Sequence, residues 1–342
     1  MSLNDEIDAQ PEIAERLLLE APAQLEPLVA AVRERGLTHV VIAARGTSDH
    51  AAIYAQYVLG ALAGLPVALA APSLFTRYAS PPRIGDALVI GISQSGRSPD
   101  IVAVIEEARR QGAVTVAVTN GRSSPLATAA EHRLDLRAGP ERSVAATKTY
   151  TAELLLIAML AVALGDDREG REALAGVPEA QRTALRLADR ATELADERAG
   201  MADCVVLGRG FNLATAHEWA LKLKELTYVR AQAYSSADFQ HGPVASLAHG
   251  GDVLAIVARG PLAADAVELV QRLRAERRAR VLLLAGEPLP DVDHLGFPDD
   301  LPEWISPIVD IIPAQLFVAA LASAKGLDVE RPRGLHKVTL TR

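Results

Sequence analysis

The sequence predicts an α/β protein built from two similar three-layer αβα domains, each with a parallel β-sheet. Short continuous runs of β-branched and apolar residues alternate with helical segments such as PDIVAVIEEARRQG (99–112), which is the pattern of strands joined by helical crossovers. The same order of segments occurs twice along the chain. A chain of 342 residues also exceeds the size of an average single domain.

The internal repeat is clearest around two glycine turns. The segments THVVIAARGTSDHAAIYAQYVL (38–59) and DCVVLGRGFNLATAHEWALKL (203–223) each read as strand, glycine turn and helix, with Gly46 matching Gly210. Two further strand pairs follow in the same order: LVIGISQSG (88–96) with VLAIVARGP (253–261), and AVTVAVTN (113–120) with ARVLLLAGE (279–287). Each copy therefore supplies the strands of a parallel sheet of its own.

Each copy continues with a short strand and ends in a long apolar helix. The strands are HRLDLRA (132–138) and DHLGFP (293–298), and the helices are KTYTAELLLIAMLAVALG (148–165) and ISPIVDIIPAQLFVAALASAKG (305–326). The predicted organisation is an N-terminal helical segment 1–29, a first domain 30–165, a helical linker 166–194, a second domain 195–325 and a C-terminal tail 326–342.

Composition excludes several classes of protein. The net charge of −8 argues against a nucleic-acid-binding surface. The single cysteine, Cys204, excludes a disulfide framework, and no cluster of metal ligands is visible, so neither a metal nor a cofactor is predicted. The acidic N-terminus is not a secretory signal, and LLLIAMLAVALG (154–165) is too short to span a bilayer. We therefore expect a cytoplasmic protein without membrane or nucleic-acid partners.

A hydroxyl-rich loop at a strand end predicts a phosphate site in the first copy. Ser-Gln-Ser-Gly (93–96) ends a buried strand, and Ser98, Pro99 and Asp100 are typical of a helix start. In an open parallel sheet, ligands bind at the carboxyl ends of strands, where helix N-termini attract phosphate. The candidate phosphate ligands are Ser93, Gln94, Ser95 and Ser98.

Taken alone, this loop is equally well explained as a capped turn with polar residues. The segment ARGTSDH (44–50) favours the phosphate site, because it also lies at a strand end and Ser48 can reach the same pocket. The matching loops of the second copy, VARGP and GRGFN, have no serine cluster. One phosphate site per chain is therefore expected.

A second group of chemically active residues lies in the second copy. On a helix, Glu218, Lys222 and Glu225 share one stripe, and an apolar stripe beside it indicates a buried boundary rather than an exposed row of ion pairs. His241 lies in the loop QHGP, and Lys337 lies near the chain end in GLHK. Without further information these two residues would be an exposed histidine and a frayed terminal lysine.

Six motifs in order resemble the sugar isomerase (SIS) family, in particular the isomerase half of the glucosamine-6-phosphate synthases. The resemblance covers residues 30–342. The motifs are GTS (46–48), SQSG (93–96), SVAATK (143–148), ALKLKE (220–225), HGP (241–243) and DVERPRGLHK (328–337). It implies two flavodoxin-like domains, a fructose-6-phosphate-type ligand between them, and a homodimer with a shared active site.

The resemblance also implies a role for each matching residue. Ser93, Gln94, Ser95 and Ser98 would hold the phosphate, while Thr47, Ser48 and the Val144 backbone would line the sugar site. Glu225 corresponds to the base that moves a proton between C1 and C2, and Lys222 to the lysine that assists it. His241 corresponds to the ring-opening histidine, which in the family can come from the neighbouring subunit. Lys337 corresponds to the lysine that contacts the open-chain carbonyl and can form an imine with it. These residue types suit proton transfer without a metal.

Several positions depart from the synthase pattern. Arg45 replaces a cysteine beside GTS, His336 replaces an alanine, Ala146 replaces a serine and Asp238 replaces a glutamate. Ser98 also stands where the family has a threonine. Arg45 and His336 are the main candidates for an altered sugar specificity. The N-terminal glutaminase domain of the synthases, with its nucleophilic cysteine, has no counterpart in this sequence, so glutamine dependence is not expected.

The predicted function is that of an amino-sugar-phosphate isomerase or deaminase. The reaction most consistent with the residues is conversion of glucosamine 6-phosphate to fructose 6-phosphate and ammonia. The alternatives are a dehydratase or deglycase acting on another amino-sugar phosphate, and a non-catalytic sugar-phosphate sensor. A sensor needs no base, and residues 1–30 are too few and too acidic for an attached DNA-binding domain, which favours the enzyme.

Overall fold

The computed structural model of the protein describes residues 2–296 and 301–337. The chain forms two compact units. The first-repeat unit contains Glu12–Glu141, Lys148–Ala175 and, among the described residues of the chain end, His336 and Lys337. The second-repeat unit contains the N-terminal residues to Pro11, the loop Arg142–Thr147, and Gly176–Leu335.

Each unit has one five-stranded sheet. The first sheet contains β1 (Val40–Ala43), β2 (Val67–Leu69), β3 (Leu88–Ile92), β4 (Val114–Thr119) and β5 (His132–Asp135). The second contains β6 (Asp203–Gly208), β7 (Arg230–Ser235), β8 (Asp252–Val257), β9 (Arg280–Ala285) and β10 (Asp293–Gly296). Residues 297 and 298 of the predicted strand DHLGFP lie outside the described residues.

The helices of the first half of the chain are α1 (Leu3–Asp8), α2 (Gln10–Glu20), α3 (Pro22–Glu34), α4 (Thr47–Ala63), α5 (Pro72–Thr76), α6 (Pro99–Arg110), α7 (Pro125–Ala129) and α8 (Lys148–Gly165). Those of the second half are α9 (Arg168–Leu174), α10 (Val177–Leu185), α11 (Ala188–Asp196), α12 (Leu213–Lys222), α13 (Ser236–Gln240), α14 (Ala263–Arg277) and α15 (Pro307–Ala324). The segment 166–194, predicted as a helical linker, contains the short helices α9 and α10 and most of α11.

The two sheets have the same topology, and all their strands are parallel. The first has the order β2-β1-β3-β4-β5, and the second has the order β7-β6-β8-β9-β10 when it is read from its other edge. Both orders are the flavodoxin-like 2-1-3-4-5 arrangement, in which ligands bind at the switch point between the first and third strands. The predicted fold class is confirmed. In the first-repeat unit this switch point lies between β1 and β3.

The core of the first-repeat unit fixes the positions of the two loops that follow β1 and β3. β1 and β3 are buried along their whole length, so their carboxyl ends have fixed positions. Helix α6 packs its apolar face, including Ile101 and Ile105, against this sheet. Continuous burial of β-branched residues on both faces is what a parallel sheet covered by helices requires.

Among residues 2–296 and 301–337, two helices are long and apolar enough to cross a membrane by length and composition. These are α8, which extends the predicted apolar run to 18 residues, and the segment Ser306–Ala324 that contains α15. In the structure, 83% of the first and 72% of the second window is buried inside the protein. Both helices are therefore packed as core helices, and α15 carries Phe317 in an edge-to-face contact with the buried Trp219 of α12.

Candidate active site

The loop after β3 forms the start of helix α6 as the sequence predicts. Ser98 is the N-cap residue, Pro99 is the first helical residue and Asp100 is in the first turn. Within the described residues, however, the Ser98 side chain makes no cap hydrogen bond to its own helix. Its hydroxyl oxygen instead lies 3.4 Å from that of the buried Ser93. The two hydroxyls therefore form a polar pair at the strand end.

The backbone of the loop is fixed by the neighbouring strand. The Ser93 N–H donates to the Val118 carbonyl at 3.0 Å, and the Gln94 carbonyl accepts from the Asn120 N–H at 3.1 Å. Ser95 is half-buried, and its hydroxyl accepts from the Arg97 N–H at 3.3 Å. Because these bonds hold the main chain, the side chains of the loop are presented at the edge of the sheet at defined positions.

Gly96 is required by the geometry of this loop. Its φ is +62°, and an added Cβ would overlap the Ser124 hydroxyl and lie 2.9 Å from Thr119 Oγ1. We expect Gly96→Ala to destabilise the protein by about 1–2 kcal/mol from left-handed backbone strain and by about 1–3 kcal/mol more from overpacking. Urea unfolding measures this loss.

Gly36→Ala is the matched control for that substitution. Gly36 has a similar φ of +58°, but an added Cβ would meet nothing within 4 Å. Gly36→Ala should therefore lose only the part of the unfolding free energy that comes from left-handed backbone strain. Equal losses of unfolding free energy in the two variants would contradict the packing argument for Gly96.

Arg45 lies two residues after β1 and is hydrogen-bonded to the first turn of helix α6. Its Nε donates to Asp100 Oδ2 at 2.9 Å, and Asp100 is buried while the Arg45 side chain is about half exposed. The other oxygen of Asp100 accepts the Ile101 N–H at 3.0 Å. A buried carboxylate at this helix start would repel a phosphate, so the Arg45 charge neutralises it. The sequence analysis identified Arg45 but did not predict its partner.

The start of α4 holds two further predicted sugar contacts, Thr47 and Ser48. Gly46 precedes the helix with a φ of +55°, and Thr47 is half-buried. The Ser48 hydroxyl donates to Oε1 of Glu153 at 2.9 Å, and both side chains are buried. Burial raises the pKa of the neighbouring Asp49, an effect that the charges of His50 and Arg45 oppose.

Lys222 is the centre of a buried charge cluster in the second-repeat unit. Its Nζ lies 2.6 Å from Glu225 Oε2 and 3.3 Å from Glu218 Oε1. Glu218 and Lys222 have essentially no exposed surface, whereas 22% of the Glu225 side chain is exposed. The prediction that these residues lie at a buried boundary is confirmed. The exposed carboxylate is therefore the member that is accessible to a ligand.

The charges of this cluster keep Lys222 protonated. Burial by itself would lower the pKa of Lys222, but the charges of Glu218 and Glu225 and their hydrogen bonds outweigh it, so the pKa is raised above its usual value. Lys222 is accordingly a fixed ammonium group at neutral pH. It can orient and stabilise negative charge on Glu225 or on a ligand, but it cannot act as a base.

Glu225 lies on a π-helical turn rather than on a continuous α-helix. α12 ends at Lys222, and residues Leu223–Thr227 form the π turn, which closes with Tyr228 at a φ of +57°. π turns insert an extra residue into a helix and are frequent at functional sites. The sequence analysis expected one regular helix here and missed this turn, because the apolar spacing around it differs little from a helical one.

His241 and Lys337 occupy different surroundings. His241 is exposed at the end of α13, where its N–H donates to the Asp238 carbonyl at 3.0 Å, and it is followed by Gly242 with a φ of +132°. Lys337 is three-quarters buried, and its Nζ donates to Glu141 Oε2 at 2.8 Å. Lys337 is therefore held in place by a buried partner and is not frayed, as a lysine near a chain end would be by default. His336 beside it is exposed.

Glu141 is a residue that the sequence analysis missed. It is fully buried and also accepts hydrogen bonds from the Thr149 N–H at 3.1 Å and the Thr149 hydroxyl at 2.8 Å. Its carboxylate is thus the fixed counter-ion of Lys337. Sequence spacing gives no signal for this pair, because the two residues are almost 200 positions apart.

The profile of the SIS domain matches residues 36–163 and 203–323, which is more than half of the chain. The chain belongs to the SIS domain family. The family assignment agrees with the two sheets of identical topology, since each match covers one repeat.

Several SIS proteins are similar along almost the whole chain. The chain is 36% identical over 338 residues to a glutamine–fructose-6-phosphate aminotransferase (isomerizing) of Methanothermobacter thermautotrophicus, covering 97% of this chain and 56% of that protein. An aminotransferase of the same description from Thermus thermophilus is 35% identical over 352 residues, covering 97% and 57%. The chain spans about half the length of the curated relatives it matches.

A solved structure agrees with these sequence matches. The C-terminal domain of glucosamine-fructose-6-phosphate aminotransferase from Francisella tularensis superposes with a TM-score of 0.88 at 27% identity, covering 96% of this chain and 98% of that one. The predicted resemblance to the isomerase half of these enzymes is confirmed.

The candidate residues of this SIS protein divide between its two units. The first-repeat unit carries Arg45, Thr47, Ser48, Ser93, Gln94, Ser95, Ser98, His336 and Lys337, and the second-repeat unit carries Val144, Lys222, Glu225 and His241. Within the units, the structure brings Ser93 to Ser98 and Lys222 to Glu225. Across residues 2–296 and 301–337, no group of three His, Cys, Asp or Glu side chains is arranged to hold a metal ion.

Proposed function

We propose that this SIS protein is an amino-sugar-phosphate isomerase that deaminates a hexosamine 6-phosphate, with glucosamine 6-phosphate as the substrate and fructose 6-phosphate and ammonia as the products. The observation that carries the proposal is the partly exposed Glu225 carboxylate, held at 2.6 Å by the buried ammonium of Lys222. A ligand sensor needs no such base. The similarity to aminotransferases that isomerise fructose 6-phosphate supports the substrate class.

The phosphate is proposed to bind at the β3–α6 loop of the first-repeat unit. The Ser93 and Ser98 hydroxyls, with Ser95 and Gln94, supply donors at the start of a helix of 12 residues. The positive end of the helix dipole favours binding of the doubly charged phosphate group at this position. Arg45 offsets the charge of Asp100 and thereby keeps the loop attractive to an anion.

The proton transfer is proposed to take place at Glu225. His241 passes the proton that opens the sugar ring. Glu225 then removes the proton from C2 of the open-chain aldehyde while a proton from solvent is added to the carbonyl oxygen. Glu225 returns the C2 proton to C1 as the amino group gives up a proton to solvent. The product is an imine at C2, which takes up water and releases ammonia and the ketose. Lys222 stabilises the negative charge that develops, because it remains an ammonium throughout.

Lys337 and the residues that depart from the synthase pattern are proposed to contact the sugar rather than the phosphate. Lys337 contacts the open-chain carbonyl, and Glu141 at 2.8 Å is the group that would accept its proton if an imine forms. Thr47, Ser48, the Val144 backbone, Arg45 and His336 are the proposed determinants of which sugar is accepted. We also propose a cytoplasmic homodimer with a shared active site, in which His241 acts in its own or in the neighbouring subunit.

Ammonia release from glucosamine 6-phosphate tests the proposed function directly. Ammonia and fructose 6-phosphate are expected in equal amounts, at a rate that added glutamine does not change. Turnover only of an N-acetylated or fructosyl-amine phosphate would replace the deaminase with a dehydratase or deglycase. Thermal stabilisation by phosphosugars without turnover of any of them would identify a sensor.

Ser98→Ala tests the phosphate loop. Because the Ser98 hydroxyl does not cap α6, its loss should leave the unfolding free energy almost unchanged. It removes one charge-assisted hydrogen bond to the phosphate, so affinity for fructose 6-phosphate should fall roughly tenfold. Calorimetric titration measures this change.

Ser124→Ala is the control for Ser98→Ala. Ser124 does cap its helix, accepting from the Ala127 N–H at 3.3 Å. Its substitution should cost about 1 kcal/mol of stability with ligand affinity retained. The reverse pattern, in which Ser98→Ala destabilises the fold and still binds ligand normally, would contradict the assignment of Ser98.

A further inference from the structure

We infer that Glu6 of the first helix is a positioning residue for the loop Arg142–Thr147, which we call the sugar loop. This inference rests on the proposed function, in which the Val144 backbone of that loop contacts the sugar. Nothing in the sequence motifs pointed to the N-terminal helix as part of the site. The contacts that support it all lie within the second-repeat unit.

The Glu6 carboxylate binds the main chain of the sugar loop. Its side chain has no exposed surface, and its Oε1 accepts a short hydrogen bond from the Arg142 N–H. The Ser143 N–H lies 3.3 Å from Oε2 and 3.5 Å from Oε1. Hydrogen bonds from amides to a carboxylate are shorter and stronger than neutral ones. Val144 is the next residue, so this clamp fixes where its backbone lies.

Helix α1 is itself anchored at both ends, which makes it a suitable support. The Leu3 N–H donates to Glu330 Oε1 at 2.7 Å, in the segment that leads to the C-terminal tail. Gln10, the first residue of α2 and two positions after the end of α1, donates from Nε2 to Gln315 Oε1 of α15 at 2.9 Å. A helix of six residues is not stable alone, so these contacts and its capping box at Ser2 hold it in place.

Two of these contacts connect α1 to segments that matter for the sugar, namely the sugar loop and the segment that leads to the C-terminal tail. Glu6 holds the sugar loop, and Leu3 holds Glu330, seven residues before Lys337. The geometry indicates that α1 positions the residues that are proposed to contact the sugar. The phosphate end depends on a different loop, that of Ser93–Ser98, and should be unaffected by changes at Glu6.

Glu6→Gln tests this assignment. The neutral amide retains the shape of the side chain but turns its NH₂ group towards one of the two loop N–H groups. Amide hydrogen exchange at Arg142 and Ser143 should become at least about tenfold faster, since exchange reports local opening. The KM for glucosamine 6-phosphate and the Kd for fructose 6-phosphate should rise roughly tenfold. The inhibition constant of inorganic phosphate should stay within about twofold of the wild-type value.

Glu12→Gln is the matched control, because Glu12 is exposed on the neighbouring helix α2. It should change neither the exchange rates nor the binding constants. Should Glu6→Gln fail to fold, Gln10→Leu serves in its place. That substitution removes the anchor on Gln315 but keeps the Glu6 carboxylate, and a smaller increase in exchange at the same two amides is expected.

The outcomes separate this inference from the proposed function. If the amide hydrogen exchange rates at Arg142 and Ser143 are the same in Glu6→Gln as in the wild-type protein, the inference is overturned, whatever the activity of the variant. Faster exchange with unchanged affinity for phosphosugars overturns it as well, because the loop would then not support the sugar. If the wild-type protein binds fructose 6-phosphate but turns over no hexosamine phosphate, the proposed reaction fails, and the exchange and affinity measurements still decide the role of Glu6.

Discussion

Replacing Glu225 with Gln is expected to lower the turnover of glucosamine 6-phosphate by about 10²–10⁴-fold, the usual contribution of a general base. The amide has the same shape as the carboxylate but cannot accept and return the C2 proton. The Lys222 ammonium at 2.6 Å would retain an oxygen acceptor in the amide, so the local structure should persist. The Kd for fructose 6-phosphate should therefore stay within about threefold.

The measurement is steady-state ammonia release combined with calorimetric titration. Glu276→Gln is the control, since Glu276 is exposed on α14 of the same unit. A second readout is exchange of the C2 hydrogen with solvent deuterium, which requires the base but not the release of ammonia. If Glu225→Gln retains both turnover and C2 exchange, another group is the base, and the role proposed for this carboxylate is wrong.

Local sequence patterns were sufficient for the central strands and for the helix start after β3. β1, β3, β4, β6, β8 and β9 are continuous buried runs, and such runs are recognisable without tertiary information. The edge strands β2 and β7 were missed, because they are partly exposed and carry no run of β-branched residues. The other two edge strands, β5 and β10, were predicted, so an edge position alone does not hide a strand.

The site was predictable where its residues are neighbours in sequence, and not where their partners are distant. Ser98, Pro99 and Asp100 form a helix start whose residue types are diagnostic. Glu141 pairs with Lys337, and Glu6 accepts from the Arg142 N–H, in each case across more than a hundred residues of sequence. Buried carboxylates require partners, but their identity depends on the fold that brings them together.

The buried charge cluster of the second-repeat unit has a stability cost that its proposed chemistry explains. Glu218 is fully buried and makes one of the two carboxylate contacts to Lys222. Buried ion pairs contribute little net stability compared with well-packed apolar residues of the same volume. The arrangement is therefore better understood as holding a permanent cation behind Glu225 than as a device that stabilises the fold.

Lys222→Met is expected to destabilise the protein by about 3–5 kcal/mol, because it leaves the buried Glu218 carboxylate without its cation. Methionine retains most of the side-chain volume, so the loss would come from charge rather than from a cavity. The raised pKa of Lys222 means that the native ammonium contributes stability up to the ordinary lysine pKa of about 10.4. This contribution is lost only as the pH rises through the higher native value.

The double variant Glu218→Gln/Lys222→Met separates the structural from the chemical role of Lys222. Removing both charges should recover most of the lost unfolding free energy, since no uncompensated carboxylate remains at Glu218, while turnover stays at least about a hundredfold below wild type. Urea unfolding between pH 6 and pH 9 and ammonia release measure the two quantities on the same samples. Recovery of activity together with stability would show that Lys222 only supports the fold, and Glu225 would then act without a neighbouring cation.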